Sequence, residues 1–181
     1  EEMPGEAAFY GPKIDVQVPD SAGREWSLST VQLDFHKPQR FDLSYVAADG
    51  SSVRPVMVHR SVVGSMERLL GLLLEGNDGV FPPWCAPVQV AVLPVSADQA
   101  PEAEKLAAAI WPLRAEVSAD GSLGARVRAA AAHHVPFVAV IGRREVERRE
   151  VSLRERGGGE PLVLSATAAE DYLRAACSPA Q

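Results

Sequence analysis

The sequence predicts an α+β fold made of two units, and three patterns support this prediction. Polar and apolar residues alternate from Lys13 to Val18 and again from Arg24 to Phe35, which is typical of an antiparallel hairpin. Apolar residues then recur every three or four positions from Val62 to Leu73, the spacing of one helix face. Beyond Pro87, apolar runs alternate with helical segments, which predicts an α/β unit with a largely parallel or mixed sheet.

The first unit is predicted to span residues 1–82. Its hairpin turns at Pro19–Gly23, and further strands are predicted at residues 40–46 and 54–59. A helix is predicted to begin near Ser61 and to stop at the turn-forming residues Gly76-Asn77-Asp78-Gly79. Because Pro82-Pro83 favours an extended backbone, we place the boundary between the units there.

The second hairpin strand has one apolar and one polar face. The polar face carries Thr30, Gln32 and Asp34, and the apolar face carries Val31 and Leu33. An antiparallel sheet of this kind can line a substrate cleft with its polar side. The alternative, that these polar residues form the solvated side of the sheet, is equally compatible with the pattern.

The second unit is predicted to span residues 83–181. Apolar strands are predicted at Pro87–Val95 and Val135–Ile141, the kind of run that is buried on both faces of a sheet. Helices are predicted to begin near Pro101 and Leu123. The pattern Thr167-x-x-Glu170 predicts a capping box at the start of the last helix.

Composition excludes several classes of protein. A net charge of −6 argues against a generally basic nucleic-acid coat, and two cysteines are too few for a disulfide framework. No apolar run is long enough to span a membrane, and no signal-peptide pattern is present, so we expect a cytoplasmic protein. The chain begins at Glu1 rather than methionine, which leads us to expect part of a longer protein.

The stretch from His59 to Glu75 combines a histidine, serines and arginines with the most apolar run in the sequence. On the predicted helix, Ser61, Ser65 and Arg68 share one stripe, which could clamp an anion or a nucleotide. The alternative is a buried core helix whose polar stripe faces water, and the pattern by itself favours this alternative.

Several motifs stand out along the chain. They are Phe9-Tyr10-Gly11-Pro12-Lys13, Thr30-Val31-Gln32-Leu33-Asp34-Phe35, Val58-His59-Arg60, Gly64-Ser65-Met66-Glu67-Arg68 and Ala86-Pro87-Val88-Gln89-Val90. Together they resemble the threonyl-tRNA synthetase family of class II aminoacyl-tRNA synthetases. The resemblance covers nearly the whole chain, from the end of the catalytic domain through the anticodon-binding domain. It implies an antiparallel class II synthetase sheet with the helix of the third signature motif, followed by an α/β domain with a mixed sheet.

The resemblance implies a threonine–tRNA ligase, which uses ATP and Mg²⁺ to form threonyl-adenylate and then charges tRNA(Thr). Arg68 would contact the ATP phosphates, a role that suits a permanently charged guanidinium, and Lys13 is the second candidate catalytic residue. Four further residues match positions that line the threonine and adenylate pocket. They are Tyr10, Thr30, Gln32 and Ser65.

The resemblance also implies a metal, an RNA contact and a dimer. His59 matches a histidine ligand of the active-site Zn²⁺, whose cysteine and second histidine ligands would lie upstream of Glu1. The full-length protein is expected to be a homodimer. Four residues match positions that face the tRNA anticodon: Arg126, Arg128, Glu145 and Arg154.

The chain also departs from the family pattern. The first two class II signature motifs have no counterpart in these residues, and Ser27-Leu28-Ser29 replaces the family's usual Gln-Cys-Gly. Two hypotheses follow. The chain is part of a working ligase and is inactive by itself, or it belongs to a diverged, non-catalytic paralogue that acts as a tRNA-binding or regulatory module. Four retained residues favour the ligase: His59, Gln32, Ser65 and Arg68.

Overall fold

The computed structural model describes residues 1–179, which form two compact units: residues 1–79, and a second unit that begins at Val80. The predicted fold class is confirmed, because the first unit contains an antiparallel three-stranded sheet and the second a mixed five-stranded sheet. Within the described residues, no helix has both the length and the apolar character that a membrane crossing requires.

The first unit is organised around a sheet with the strand order β1-β2-β5. Strands β1 and β2 form the predicted hairpin, and β2 pairs antiparallel with β5 on its other side. A two-stranded ribbon, β3-β4, lies apart from this sheet. The elements are β1 (Lys13–Pro19), β2 (Glu25–Asp34), α1 (His36–Arg40), β3 (Tyr45–Val46), β4 (Ser52–Val53), β5 (Met57–Ser61) and α2 (Met66–Glu75).

The segment after β2 forms helix α1, which extends to Arg40, the residue at which a strand was predicted to begin. The Asp34 carboxylate accepts hydrogen bonds from the backbone N–H groups of His36 and Lys37, both at 2.9 Å, and so satisfies donors that a helix start leaves free. Pro38 fits such a first turn, because its missing N–H is not needed there. The predicted strand at residues 40–46 is therefore wrong except for Tyr45–Val46.

Helix α2 begins later than the sequence pattern indicates. Ser61 ends strand β5, Gly64 turns the chain at φ +60°, and extended Ser65 caps the helix by accepting a hydrogen bond from the Arg68 N–H at 3.2 Å. Ser61 and Ser65 therefore do not share a helical stripe with Arg68. The interpretation as a buried core helix is also wrong, because none of the residues of α2 is buried.

The polar face of the three-stranded sheet is more deeply buried than its apolar face, the reverse of what the residue types suggest. On the polar face, Asp34 is 0% exposed and Gln32 is 8% exposed, whereas on the apolar face Ile14 is 73% exposed and Val58 is 57% exposed. The interpretation of Gln32 and Asp34 as solvated residues is therefore wrong. Tyr10 and Pro12 extend the pairing of β1 with β2, through hydrogen bonds from the N–H groups of Phe35 and Leu33.

The second unit is a three-layer α/β arrangement around a sheet with the order β10-β9-β8-β6-β7. Strand β6 pairs parallel with both β7 and β8, and β9 and β10 add antiparallel pairs. A short 3₁₀ turn at Ala97–Gln99 precedes α3. The elements are β6 (Val90–Pro94), α3 (Ala100–Ala109), β7 (Ala115–Val117), α4 (Leu123–Ala132), β8 (Phe137–Ile141), α5 (Arg143–Arg148), β9 (Glu150–Glu155), β10 (Leu162–Ser165) and α6 (Ala166–Ala176).

Both faces of this sheet are buried, as the continuous apolar strands predict. Leu106 of α3 and Leu173 of α6 pack on one face with Leu153 of β9. Ala130 of α4 packs on the other face with Leu93 of β6. Each fully buried leucine contributes about 1.5–3 kcal/mol relative to an exposed one, so these two layers fix the frame that carries the surface residues.

Single serines cap helices α4 and α6 of this unit. The Ser122 hydroxyl accepts a hydrogen bond from the Ala125 N–H at the start of α4, and Ser165 accepts one from the Ala168 N–H at the start of α6. The predicted capping box is wrong, because α6 begins at Ala166 and Thr167 already lies in its first turn.

Candidate functional site

Strand register brings four of the predicted site residues onto the polar face of the first unit's sheet. Lys13 lies opposite Gln32, and Gln32 lies opposite His59. In the next row, Thr30 lies opposite Asp15. Residues that lie directly opposite each other on antiparallel strands share a face, so Lys13, Thr30, Gln32 and His59 form one contiguous polar patch.

Lys13 is held in this patch by a neighbouring carboxylate. Its Nζ lies 2.7 Å from Asp15 Oδ2, and the Thr30 hydroxyl donates to Asp15 Oδ1 at 2.7 Å. The hydrogen bonds from Lys13 and Thr30 lower the pKa of Asp15, and the hydrogen bond to Asp15 raises the pKa of Lys13. Lys13 therefore presents a fixed positive charge at one edge of the patch.

Tyr10 and Gln32 enclose the other side of the patch. The Gln32 amide donates to the Gly11 carbonyl at 3.2 Å, which fixes a buried side chain against the incoming segment. The Tyr10 ring contacts the His59 ring edge to face, with 6.0 Å between the ring centres. The motif Phe9-Tyr10-Gly11-Pro12-Lys13 thus supplies two of the predicted site residues: Tyr10, from the segment that precedes β1, and Lys13, the first residue of β1.

The His59 imidazole is paired with the buried Asp34 carboxylate, 2.8 Å from His59 Nε2 to Asp34 Oδ2. Burial raises the pKa of Asp34, but hydrogen bonds from His59 and from the backbone N–H groups of Lys37 and His36 outweigh this effect, so the pKa is lowered from its ordinary value. The alternation of β2 predicts the face on which Asp34 lies but does not predict its partner. The feature that could have indicated this partner is the position of Asp34 two residues after Gln32, which places it diagonal to His59 across the paired strands.

Arg68 and Ser65 lie at a different place, beside the β1-β2 turn. Arg68 donates from Nη1 to the Ser27 carbonyl at 2.7 Å, and its guanidinium carbon lies 5.1 Å from the centre of the Trp26 ring. These residues line a cavity of about 360 Å³ together with Asp20. The cavity places the Arg68 cation over an aromatic wall, which suits a planar ligand, and its lining also includes the carboxylates of Asp20, Glu67 and Glu75.

Asp20 organises the hairpin turn next to this cavity and carries a pH prediction. Its carboxylate accepts hydrogen bonds from Trp26 Nε1 at 3.0 Å, from the Arg24 N–H at 2.8 Å and from the Ala22 N–H at 2.9 Å. These bonds, led by that from Trp26, lower its pKa from 3.8 to about 2. Because the folded pKa is depressed, the stabilisation is present above about pH 4 and is lost as pH falls through 2.

We therefore expect the first unit to lose stability between pH 4 and pH 2, and the Asp20→Asn variant to lose less of it over that interval. Urea unfolding followed by Trp26 fluorescence, with Trp84 and Trp111 replaced by phenylalanine, measures this difference. The exposed Asp78→Asn variant is the control and should keep the wild-type pH dependence. If the free energy of unfolding fell equally with pH in Asp20→Asn and in the wild type, the attribution of this loss to Asp20 would be wrong.

In the second unit the two predicted arginines of α4 have different surroundings. Arg126 is only 7% exposed, and its Nη1 donates to the Pro94 carbonyl at 2.7 Å and to the Ser118 carbonyl at 2.6 Å. It therefore ties together the segments that leave strands β6 and β7 at their carboxyl ends. Arg128 is exposed. Nothing in the sequence pattern distinguishes Arg126 from Arg128 in this respect.

Glu145 and Arg154 occupy different positions around the sheet. Glu145 lies in the first turn of α5, directly after β8, and its carboxylate accepts a hydrogen bond from the Gly142 N–H at 3.0 Å. Arg154 is exposed on β9 opposite Val138 and lines a cavity of about 330 Å³ with Val127. Arg126 and Glu145 thus share the carboxyl edge of the parallel strands, and Arg154 lies elsewhere on the unit.

The metal prediction rests on His59 alone in this chain. Among residues 1–179, no group of three histidine, cysteine, aspartate or glutamate side chains is arranged to hold a metal ion. The nearest carboxylate to His59, that of Asp34, is already occupied by the imidazole and two backbone N–H groups.

Comparison with known proteins places this geometry in a family. Residues 2–77 match the family model described as the tRNA synthetase class II core domain (G, H, P, S and T), and residues 89–176 match the model described as the anticodon binding domain. The chain is 48% identical over 177 residues, 96% of its length, to a threonine–tRNA ligase of Synechocystis sp.. The chain belongs to the threonyl-tRNA synthetase family. The predicted resemblance is confirmed.

A further ligase and a solved structure are also similar to this chain. A threonine–tRNA ligase of Deinococcus radiodurans is 47% identical over 158 residues, 86% of this chain. The chain spans 29% and 24% of the lengths of these two relatives. A solved structure of the RNA binding domain of threonyl-tRNA synthetase from Cryptosporidium parvum Iowa II matches 98% of this chain and 46% of that chain, with a TM-score of 0.83 and 30% identity.

Proposed function

We propose that this chain is the carboxyl-terminal part of a threonine–tRNA ligase. The reaction joins ATP and threonine to give threonyl-adenylate and pyrophosphate, and then transfers the threonyl group to tRNA(Thr) with release of AMP. The observation that supports this most strongly is that Lys13, Gln32 and His59 lie side by side on the polar face of the first unit's sheet. The chain that carries them is 48% identical to a threonine–tRNA ligase.

The polar patch would bind threonine and the adenylate. Tyr10, Thr30 and Gln32 offer an aromatic wall, a hydroxyl and an amide within one patch, which suits a small amino acid with a polar side chain. Lys13 is proposed as a catalytic residue that stabilises negative charge on the reacting phosphate or carboxylate. Its ion pair with Asp15 holds the ammonium in place.

The cavity beside the hairpin turn would take the nucleotide. Arg68 is proposed as the catalytic residue that contacts the ATP phosphates, with Mg²⁺ accompanying the nucleotide, because guanidinium geometry suits phosphate oxygens. Ser65 positions Arg68 by capping α2, since its hydroxyl accepts the Arg68 N–H. Trp26 packs against the guanidinium and limits its movement.

Zn²⁺ would be held by His59 together with cysteine and histidine ligands from residues outside this chain. The donor chemistry fits, because imidazole is a preferred zinc ligand and the carboxylate behind it is the usual outer partner of such a ligand. When bound, the metal would coordinate the amino and hydroxyl groups of threonine, a contact that valine cannot make.

The second unit would bind the anticodon of tRNA(Thr). Exposed Arg128 and Arg154 are proposed to contact unstacked bases or their phosphates, and Glu145 to accept hydrogen bonds from base edges. Arg126 is proposed to support the edge of the sheet that carries Glu145, by holding the ends of two strands. From the same resemblance we propose a homodimeric, cytoplasmic full-length protein.

The test is threonine-dependent ATP–pyrophosphate exchange. We expect the longer protein that includes the upstream residues to catalyse the exchange with threonine and far less with valine. We expect these 181 residues alone to give none, because the groups that bind the α-phosphate and complete the metal site are not among them.

Two outcomes would contradict the proposal. Exchange by the 181-residue chain alone would show that the upstream signature motifs are unnecessary. A longer protein that binds tRNA(Thr) and ATP but forms no adenylate would favour the non-catalytic paralogue. A filter-binding measurement with tRNA(Thr) and with a tRNA carrying a changed anticodon is the control for the second unit.

A further inference from the structure

The Asp34 carboxylate divides its two oxygens between two fixed sets of partners. Oδ1 accepts the backbone N–H groups of His36 and Lys37, both at 2.9 Å, at the start of α1. Oδ2 lies 2.8 Å from His59 Nε2 on β5. The side chain is fully buried, at 0% exposed, so water does not compete for either oxygen. One buried carboxylate therefore connects the end of β2, the start of α1 and the His59 ring.

This arrangement specifies which nitrogen of His59 carries the proton. A carboxylate offers only acceptors, so the neutral imidazole bonded to it must carry its proton on Nε2 and leave the Nδ1 lone pair free. The Tyr10 ring packs edge to face against the imidazole and restricts its rotation. Histidine binds a metal ion through an unprotonated ring nitrogen, which in this tautomer is Nδ1.

We propose that Asp34 is a positioning residue that holds His59 as the Nε2–H tautomer and presents Nδ1 as the metal-ligating atom. The metal part of this inference rests on the proposed function, and the tautomer part rests on the geometry alone.

The Asp34→Asn variant should reverse the tautomer, because the backbone dictates the orientation of the new amide. Two N–H donors from His36 and Lys37 require an oxygen at the position of Oδ1, so the amide nitrogen must take the position of Oδ2. That nitrogen can only donate to His59 Nε2, which then has to be unprotonated. The proton moves to Nδ1 and blocks the atom proposed to bind the metal.

The first experiment measures the tautomer in the chain itself. Long-range ¹H–¹⁵N correlation spectra, recorded near pH 8.5, about two units above the ordinary histidine pKa of 6.5, distinguish the two neutral forms. The His59→Gln variant assigns the signal. We expect Nε2–H in the wild type and Nδ1–H in Asp34→Asn, with Nε2–H retained in Asp49→Asn, a control that changes another backbone-capping aspartate without a histidine contact.

The second experiment measures zinc affinity in the longer protein by competition with a chelator. We expect Asp34→Asn to bind Zn²⁺ about 10–100-fold more weakly, in the range found for outer-shell partners, and Asp49→Asn to bind it like the wild type. The signals of the other three histidines report whether the variant is folded. The wild-type tautomer tests the inference even if the variant does not fold.

Each contrary result identifies what has failed. A wild-type Nδ1–H form, or an unchanged tautomer in Asp34→Asn, would overturn the positioning role. A reversed tautomer with unchanged zinc affinity would overturn the presentation of Nδ1 to the metal. A longer protein that binds no Zn²⁺ while the tautomer still reverses would place the failure in the proposed function and would remove the metal part of the inference with it.

Discussion

Replacing Arg126 by methionine is expected to lower the free energy of unfolding of the second unit by about 3 kcal/mol. The substitution keeps an unbranched side chain in a buried position but leaves the Pro94 and Ser118 carbonyls without their donor. Hydrogen bonds from charged donors contribute about 1.5–3 kcal/mol each. Within the described residues Arg126 Nε has no acceptor, which reduces the net gain and keeps the expected effect below the sum of two such bonds.

Amide hydrogen exchange of β6 and β8 in the full chain measures this change. A loss of about 3 kcal/mol corresponds to roughly a hundredfold faster exchange for amides that open with the whole unit. Arg128→Met is the matched control, because it makes the same chemical change at an exposed position of the same helix. We expect it to alter stability by no more than about 0.5 kcal/mol.

The two variants also separate structure from RNA contact. Under the proposed function, Arg128→Met weakens binding of tRNA(Thr) without changing exchange rates. If Arg126→Met instead keeps wild-type protection and loses tRNA binding, the assignment of Arg126 as a support of the strand ends is wrong.

The Gly11→Ala variant is expected to destabilise the first unit by about 2–3 kcal/mol. A Cβ at residue 11 would lie 2.1 Å from the Leu33 carbonyl oxygen and 2.8 Å from the Leu33 carbonyl carbon. These are backbone atoms of a paired strand, so they cannot move aside as a flexible side chain can, and overpacking of this kind costs about 1–3 kcal/mol. The conflict would separate β2 from the segment that carries Tyr10 and Lys13.

The local readout is hydrogen exchange of the Leu33 and Phe35 amides, which donate to Pro12 and Tyr10 at 3.0 Å. Both should lose protection in Gly11→Ala. Gly71→Ala is the matched control with the opposite sign. Its new Cβ meets nothing within 4 Å, and it lies within α2, where alanine is favoured over glycine by about 0.8–1 kcal/mol. Retained protection of Leu33 in Gly11→Ala would contradict the prediction.

The sequence was informative where the signal is local. Alternation from Lys13 to Phe35 predicted the hairpin, because side-chain direction in a strand depends only on residue parity. The continuous apolar strands of the second unit predicted a sheet covered on both faces, and the buried clusters around Leu93 and Leu153 confirm it. The motif resemblance predicted the family, and comparison with known proteins confirmed it.

The sequence was less informative where a competing local interaction decides an element. The Asp34 carboxylate turns the next residues into helix α1, although the following segment alternates like a strand. Ser65 delays the start of α2 to Met66, although the apolar spacing begins at Val62. In both cases one side-chain oxygen satisfies backbone N–H groups and sets a boundary that periodicity does not encode.

The sequence by itself thus determined the strand faces, the class of each unit and the membership of the family, since periodicity and motifs are properties of neighbouring residues. Only the tertiary structure decided that the polar face of the first sheet is the covered one, that Asp34 faces His59, and that Arg126 is buried where Arg128 is exposed. The physical reason is that burial and hydrogen-bond partners depend on residues far away in the chain: His59 is 25 positions from Asp34, and Pro94 is 32 positions from Arg126.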